Sequence, residues 1–184
     1  MDEFSLYVLD IAMNSVRAGA SIIRITLTEA GDLLTLTVED NGCGMTQKQV
    51  ERLSDPFYTT RKTRRVGLGI PFLTMLAEMT GGGVQITSVL KEASDRHGTR
   101  VHAIFGRHHI DFLPLGDMAS TIVTLIQGAP SVDLTFLHER DAGRVFFSTA
   151  ELREILGEEI SLSEPEILSW ISAELNRQYS EKST

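Results

Sequence analysis

The stretch Asp10-Ile11-Ala12-Met13-Asn14-Ser15-Val16-Arg17-Ala18-Gly19-Ala20 combines helical periodicity with polar side chains on one face and closes on a glycine. Asp10, Asn14 and Ala18 stand four residues apart, so on a helix the two polar groups point the same way. Apolar residues recur at helical spacing over residues 6–18, Leu6, Leu9, Met13 and Val16 among them, and Gly19 is a natural C-terminal stop. An asparagine carbonyl oxygen is a hard, neutral ligand, and one such ligand beside phosphates and waters suits Mg²⁺, which keeps much of its hydration shell. Read alone, the pair also suits a solvated polar helix face.

Downstream, residues 21–28 and 33–39 alternate apolar and polar around Ala30-Gly31-Asp32, the pattern of a half-buried hairpin. The second arm runs into Asp40-Asn41-Gly42-Cys43-Gly44. There a carboxylate could accept from the amine of a base while Gly42 and Gly44 let the backbone approach a flat ring, although an ordinary turn uses the same residues. Cys43 reads as a small filler rather than a reactive thiol.

Residues 46–53 have helical character behind the N-cap residue Thr46. A patternless, basic stretch over 54–69 follows and is a candidate lid. Gly67-Leu68-Gly69 stands before an apolar helix over 70–79, where backbone amides and a helix N-terminus could hold a polyphosphate, with Arg61, Lys62, Arg64 and Arg65 near enough to neutralise charge. Gly81-Gly82-Gly83 breaks that helix, and strands are predicted over 84–90 and 99–105, the second opened by Gly98-Thr99.

After Gly106 the pattern restarts. It predicts a short strand near Ile110, a helix over 117–126, a hairpin with arms 132–137 and 144–148, and helices over 150–156 and 164–179 with Pro165 in the first turn of the last. This divides the chain into a domain over 1–107, helices on one face of a mixed sheet, and a small α+β extension over 108–184 of unassigned role. His108 and His109 read as surface or strand-end residues.

Four segments in order carry a resemblance: the Asp10 to Ala20 helix, Asp40-Asn-Gly-Cys-Gly-Met45, Asp55-Pro-Phe57-Tyr58-Thr59-Thr60-Arg61-Lys62 leading to Gly67-Leu68-Gly69-Ile70, and His97-Gly98-Thr99-Arg-Val101. Together they resemble the GHKL superfamily of histidine kinase-like ATPases (HATPase_c type), whose members bind ATP in a Bergerat-type two-layer α/β sandwich. The first segment is close to the asparagine box of the MutL proteins, whereas the third is similar to the lid of histidine kinases. The resemblance covers roughly residues 1–107.

It implies ATP and Mg²⁺ as cofactors, with Asn14 on Mg²⁺, Asp40 accepting the adenine amine, and Gly42 and Gly44 shaping the base pocket. It implies likewise that Gly67, Leu68 and Gly69 wrap the phosphates, Thr99 supports the adenine site, and Lys62 reaches a phosphate when the lid closes. One departure concerns catalysis: hydrolysing members carry glutamate where this chain has Asp10. The shorter side chain can misplace a general base, so hydrolysis is implied less firmly than binding.

A phosphoacceptor histidine, which in histidine kinases precedes the ATP domain, has no counterpart here. His138-Glu139-Arg140 has the local look of such a site but follows the domain. The expected function is therefore an ATP-dependent signalling switch or phosphotransferase subunit, a histidine or serine protein kinase in effect, that acts on a separate partner protein. Alternatives are a self-contained ATPase clamp, which would be a homodimer, and a non-catalytic nucleotide-sensing module whose extension recognises a partner.

Composition agrees with these expectations. At 184 residues, 42% of them hydrophobic, the chain can pack a core. A net charge of -8 argues against general nucleic-acid binding. The single cysteine excludes an internal disulfide, and the acidic start of the sequence lacks the marks of a secretory leader, so a cytoplasmic location without membrane insertion is expected.

Overall fold

The structure, a computed structural model, describes residues 3–53, 69–157 and 159–181. Among these the element order is α1 (Phe4–Arg17), β1 (Ile22–Ala30), β2 (Leu33–Asp40), α2 (Gln47–Leu53), α3 (Gly69–Met79), β3 (Gly83–Val89) and β4 (Gly98–Gly106). It continues with α4 (Met118–Gly128), β5 (Asp133–Arg140), β6 (Gly143–Ser148), α5 (Thr149–Leu156) and α6 (Pro165–Ser180).

The six strands form one mixed sheet in the order β3-β4-β2-β1-β5-β6. β1 pairs parallel with β5, and the other pairings are antiparallel. Alternation along each strand sends one set of side chains inward: Ile23, Ile25 and Leu27, then Leu36 and Val38, Val101 and Phe105, Leu134 and Phe136, and Val145 and Phe147 are all buried. The helices cover that face, giving the expected two-layer α/β sandwich with a mixed sheet. One core cluster runs from Phe4 and Leu73 through Ile122 to Ile171 and Leu175, so β5, β6, α4 and α6 bury their apolar residues against the same sheet as the first four strands.

The apolar period in α1 is shared between two faces. The helix buries Phe4, Ser5, Val8, Ile11, Ala12 and Ser15 most, whereas Leu6 is exposed and Leu9, Met13 and Val16 are half-buried. The sheet takes one stripe and α4 lies beside the other, with the Met13 thioether near Gly128. The short strand expected near Ile110 is not formed. Turn bonds from His109 N–H to Gly106 O and from Phe112 N–H to His109 O take up the local backbone groups, leaving Ile110 94% exposed. Phe112 then folds back onto Phe4 and Phe105, with ring centroids 5.5 and 5.8 Å away. No helix among the described residues is long and apolar enough to cross a membrane.

Candidate functional site

Asp40 ends β2 on the helix-facing side, two residues beyond the buried Val38, and its register partner on β4 is Thr99. Its carboxylate is held on three sides. Oδ1 accepts from Gly42 N–H at 2.8 Å and from Thr99 N–H at 3.2 Å, and Oδ2 accepts from the Ser15 hydroxyl at 2.6 Å. A carboxylate offers about four acceptor positions. The one left over belongs to Oδ2, so the group is both fixed in orientation and able to take one more donor.

The loop after Asp40 is tied down residue by residue. Asn41 Oδ1 accepts from Ser21 N–H and Ile22 N–H at 2.9 and 2.8 Å, which ties the loop to the start of β1. Cys43 N–H donates to Ala18 O at 2.9 Å, and Cys43 O accepts from Lys91 N–H at 3.0 Å. Met45 N–H donates to Ser88 Oγ at 2.8 Å, and the same hydroxyl meets Gly98 O and Thr99 Oγ1 at 3.0 and 2.9 Å. His97 Nδ1 lies 2.7 Å from Gly42 O; a carbonyl can only accept, so Nδ1 carries the proton.

Two glycines here are required by contact, and Gly44 by conformation as well. A Cβ on Gly42 would stand 2.9 Å from the Ala18 Cβ, and one on Gly44, whose φ is +70°, would stand 1.9 Å from Val89 O. The loop therefore passes against both α1 and the end of β3, closer than a side chain would allow.

Asp10 and Asn14 share a face of α1 as the spacing predicts, both half-buried. Asn14 Oδ1 accepts from Arg17 Nη1 at 2.7 Å, so the carbonyl oxygen is reached by an exposed cation that could swing away. Asp10 meets the start of α3: a Cβ on Gly69 would lie 1.9 Å from Asp10 Oδ2. The structure thus gathers Asp40, Thr99, Gly42 and Gly44 at one end of the sheet and brings Asp10 against Gly69. Lys62, Gly67 and Leu68, with Arg61, Arg64 and Arg65, lie outside the described residues. Among those described, no group of three or more His, Cys, Asp or Glu residues could hold a metal ion.

From the sequence, Ser15 and Ser88 are given no role and His97 only its place at the head of the fourth segment, although each fixes the loop or its carboxylate. Ser15 follows Asn14 directly, and its burial at 5% exposure is the structural sign of its role. His138 is fully buried: its Nδ1 meets the Tyr179 hydroxyl at 2.9 Å and its Nε2 stands 3.3 Å from Glu29 Oε1. A side chain so enclosed is no surface phosphoacceptor.

The profile of the family described as "Histidine kinase-, DNA gyrase B-, and HSP90-like ATPase" matches residues 2–108. Among curated relatives, a "Putative sensor protein" of Shewanella frigidimarina is 33% identical over 95 residues, covering 51% of this chain and 14% of its own length. Sensor histidine kinase ZraS of Escherichia coli O157:H7 is 29% identical over 90 residues, covering 48% and 19%. The chain thus spans less than a fifth of the length of either. Among solved structures, the Aquifex aeolicus MutL ATPase domain complexed with ADP superposes with a TM-score of 0.56 at 17% identity, over 85% of this chain and 68% of that one. That share exceeds residues 2–108, so the likeness of fold continues into the extension.

Proposed function

Because the chain belongs to the histidine kinase-, DNA gyrase B- and HSP90-like ATPase family, we propose that it binds ATP with Mg²⁺ between α1, the 41–46 loop and the start of α3, and acts as a switch or phosphotransferase subunit on a separate protein. The observation that carries this reading is the Asp40 carboxylate, oriented by Ser15, Gly42 and Thr99 and left with one acceptor position for the adenine amine. Gly42 and Gly44 keep the base pocket free of side chains, and Thr99 holds its rear wall through Ser88. Gly69, continuing Gly67 and Leu68, meets the phosphates with backbone amides at the α3 N-terminus, and Lys62 adds charge.

Asn14 supplies a neutral oxygen toward Mg²⁺ once Arg17 releases it, which fits an ion held mainly by phosphates and water. When bound, the ion neutralises charge on the phosphate oxygens. In a transfer reaction this chain orients the nucleotide and the partner brings the accepting side chain.

A second reading, an ATPase clamp, draws on the contact between Asp10 and Gly69, which puts a carboxylate beside the proposed phosphate site. If Asp10 activates water, Asp10→Asn lowers phosphate release at least about a hundred-fold, the lower end of general-base contributions. An unchanged rate removes Asp10 from that role.

Calorimetric titration with ATP, ADP and a non-hydrolysable analogue, with and without Mg²⁺, tests the shared premise. Wild-type protein is expected to bind in a Mg²⁺-strengthened manner and Asp40→Asn at least about ten-fold more weakly, the worth of a charged hydrogen bond. Absence of binding by the wild type in every condition sinks both readings. Labelled-phosphate transfer to candidate partner proteins then separates phosphotransferase from clamp.

A further inference from the structure

On the face of the sheet turned away from the helices, side chains in register form rows across the strands. One row runs Arg24, Glu39, Arg100 and Thr87 over β1, β2, β4 and β3. The next runs Thr26, Thr37, His102 and Gln85. Each member of the first row alternates with a residue of the helix-facing side, so Glu39 and Arg100 stand directly behind Asp40 and Thr99.

The first row, with Arg96 and His97 of the β3–β4 turn, lines a cavity of about 470 Å³. A second cavity of about 260 Å³, walled by Gln85, Thr87, Arg100 and His102, shares Arg100 and Thr87 with it. Together they make one groove along β4. From Gly98 to His102 the strand advances roughly 14 Å at its ordinary rise per residue, so the groove is long and narrow and suits an extended chain better than a compact molecule.

Its charge runs against that of the molecule. The chain carries a net charge of -8, yet three arginines meet here against two acidic residues, Glu39 and Asp40, and the Asp40 carboxylate is already engaged by Ser15, Gly42 and Thr99. Arg100 Nε pairs with Glu39 Oε1 at 3.5 Å, and each side chain is about half exposed. Arg24 and Arg96 form no ion pair among the described residues. Guanidinium groups grip carboxylates with two parallel hydrogen bonds, and Thr87, Gln85 and His102 supply neutral polar groups farther along.

We propose that this groove docks an extended acidic segment of a partner protein, whose carboxylates pair with Arg24, Arg96 and Arg100. A nucleic acid fits less well, because a phosphate backbone longer than the groove would meet the surrounding negative charge. His97 forms part of the groove wall and donates to Gly42 O, so an occupied groove touches the loop that follows Asp40.

The test is fluorescence anisotropy of a labelled octaglutamate peptide with the full chain at low salt. No nucleotide is present, so its outcome stands apart from that of the ATP titrations. Saturable binding is expected, weakened about ten-fold by Arg24→Glu and by Arg96→Glu, and lost as salt screens the charges. Arg144→Glu, on the same sheet face but at β6, should change it less than about two-fold. Melting temperatures confirm that each variant is folded. No saturable binding by the wild type, equal losses for all three variants, or tighter arginine-dependent binding of a single-stranded DNA of equal charge would each overturn the assignment.

Discussion

At Gly44 two demands coincide, a φ of +70° and a backbone carbonyl, Val89 O, where a Cβ would point, 1.9 Å away. Gly31 makes only the first demand: its φ is +58° and nothing stands within 4 Å of the added atom. Alanine at Gly31 should therefore cost about 1 kcal/mol, the ordinary penalty for a side chain in the left-handed region. Gly44→Ala must also move backbone, and a loss of roughly 3 kcal/mol or more is expected. Urea denaturation of the two variants measures the difference; equal losses would mean that the loop relaxes freely away from β3. Ser15→Ala leaves Asp40 without its shortest hydrogen bond. It should weaken ATP binding several-fold while changing stability by about 1 kcal/mol, the net worth of one such bond; an unchanged ATP affinity would show that Gly42 and Thr99 orient the carboxylate without it.

Between elements, the seam of β1 with β5 holds a polar cluster inside an apolar layer. Arg107 Nη1 donates to Glu29 Oε2 at 2.6 Å and also pairs with Asp141, while Arg140 sits 4.9 Å from the Tyr179 ring centroid and donates to the last carbonyls of α6. Burial pushes the His138 imidazole down to about 4, with Glu29 pulling it up and Arg140 pushing it further down. The folded protein thus keeps His138 neutral while the unfolded chain takes up a proton as pH falls through about 6.5. The stability this group contributes is complete above that pH and is lost as pH falls from about 6.5 toward 4. Between pH 7 and 5 the loss should be about 2 kcal/mol. His138→Gln should flatten that slope in urea denaturation series, and an unchanged slope would assign the acid sensitivity to other groups.

For the whole molecule, one sheet and one core cluster bind the segment matched by the family profile to the rest of the chain. Unfolding should therefore be a single cooperative transition. The only tryptophan, Trp170, lies on α6, far along the chain from the proposed nucleotide site, and reports on the extension. Its fluorescence and the far-ultraviolet circular dichroism should give coincident thermal transitions, and both should move up together with saturating ATP and Mg²⁺. Two separated transitions, only one of them raised by nucleotide, would show that the extension unfolds on its own.

What could be read in the amino-acid order was what has a short period or a local backbone demand. That includes the helix carrying Asp10 and Asn14, the hairpin around Gly31, the Asp40 loop with its glycines, and the alternating strands of the extension. Hydrophobic period and glycine conformation act over a few residues, so they leave a mark in sequence. The stripe of α1 that meets the sheet, the turns where a strand was expected at Ile110, and the parallel pairing of β1 with β5 were decided by tertiary structure. So was the clamp of Ser15, Ser88, Thr99 and His97 around Asp40 and its loop. The turns at Ile110 are themselves local but are selected by Phe112 packing on Phe4 and Phe105; the other arrangements rest on partners farther apart in sequence, which burial of the common core must bring together before their hydrogen bonds can form.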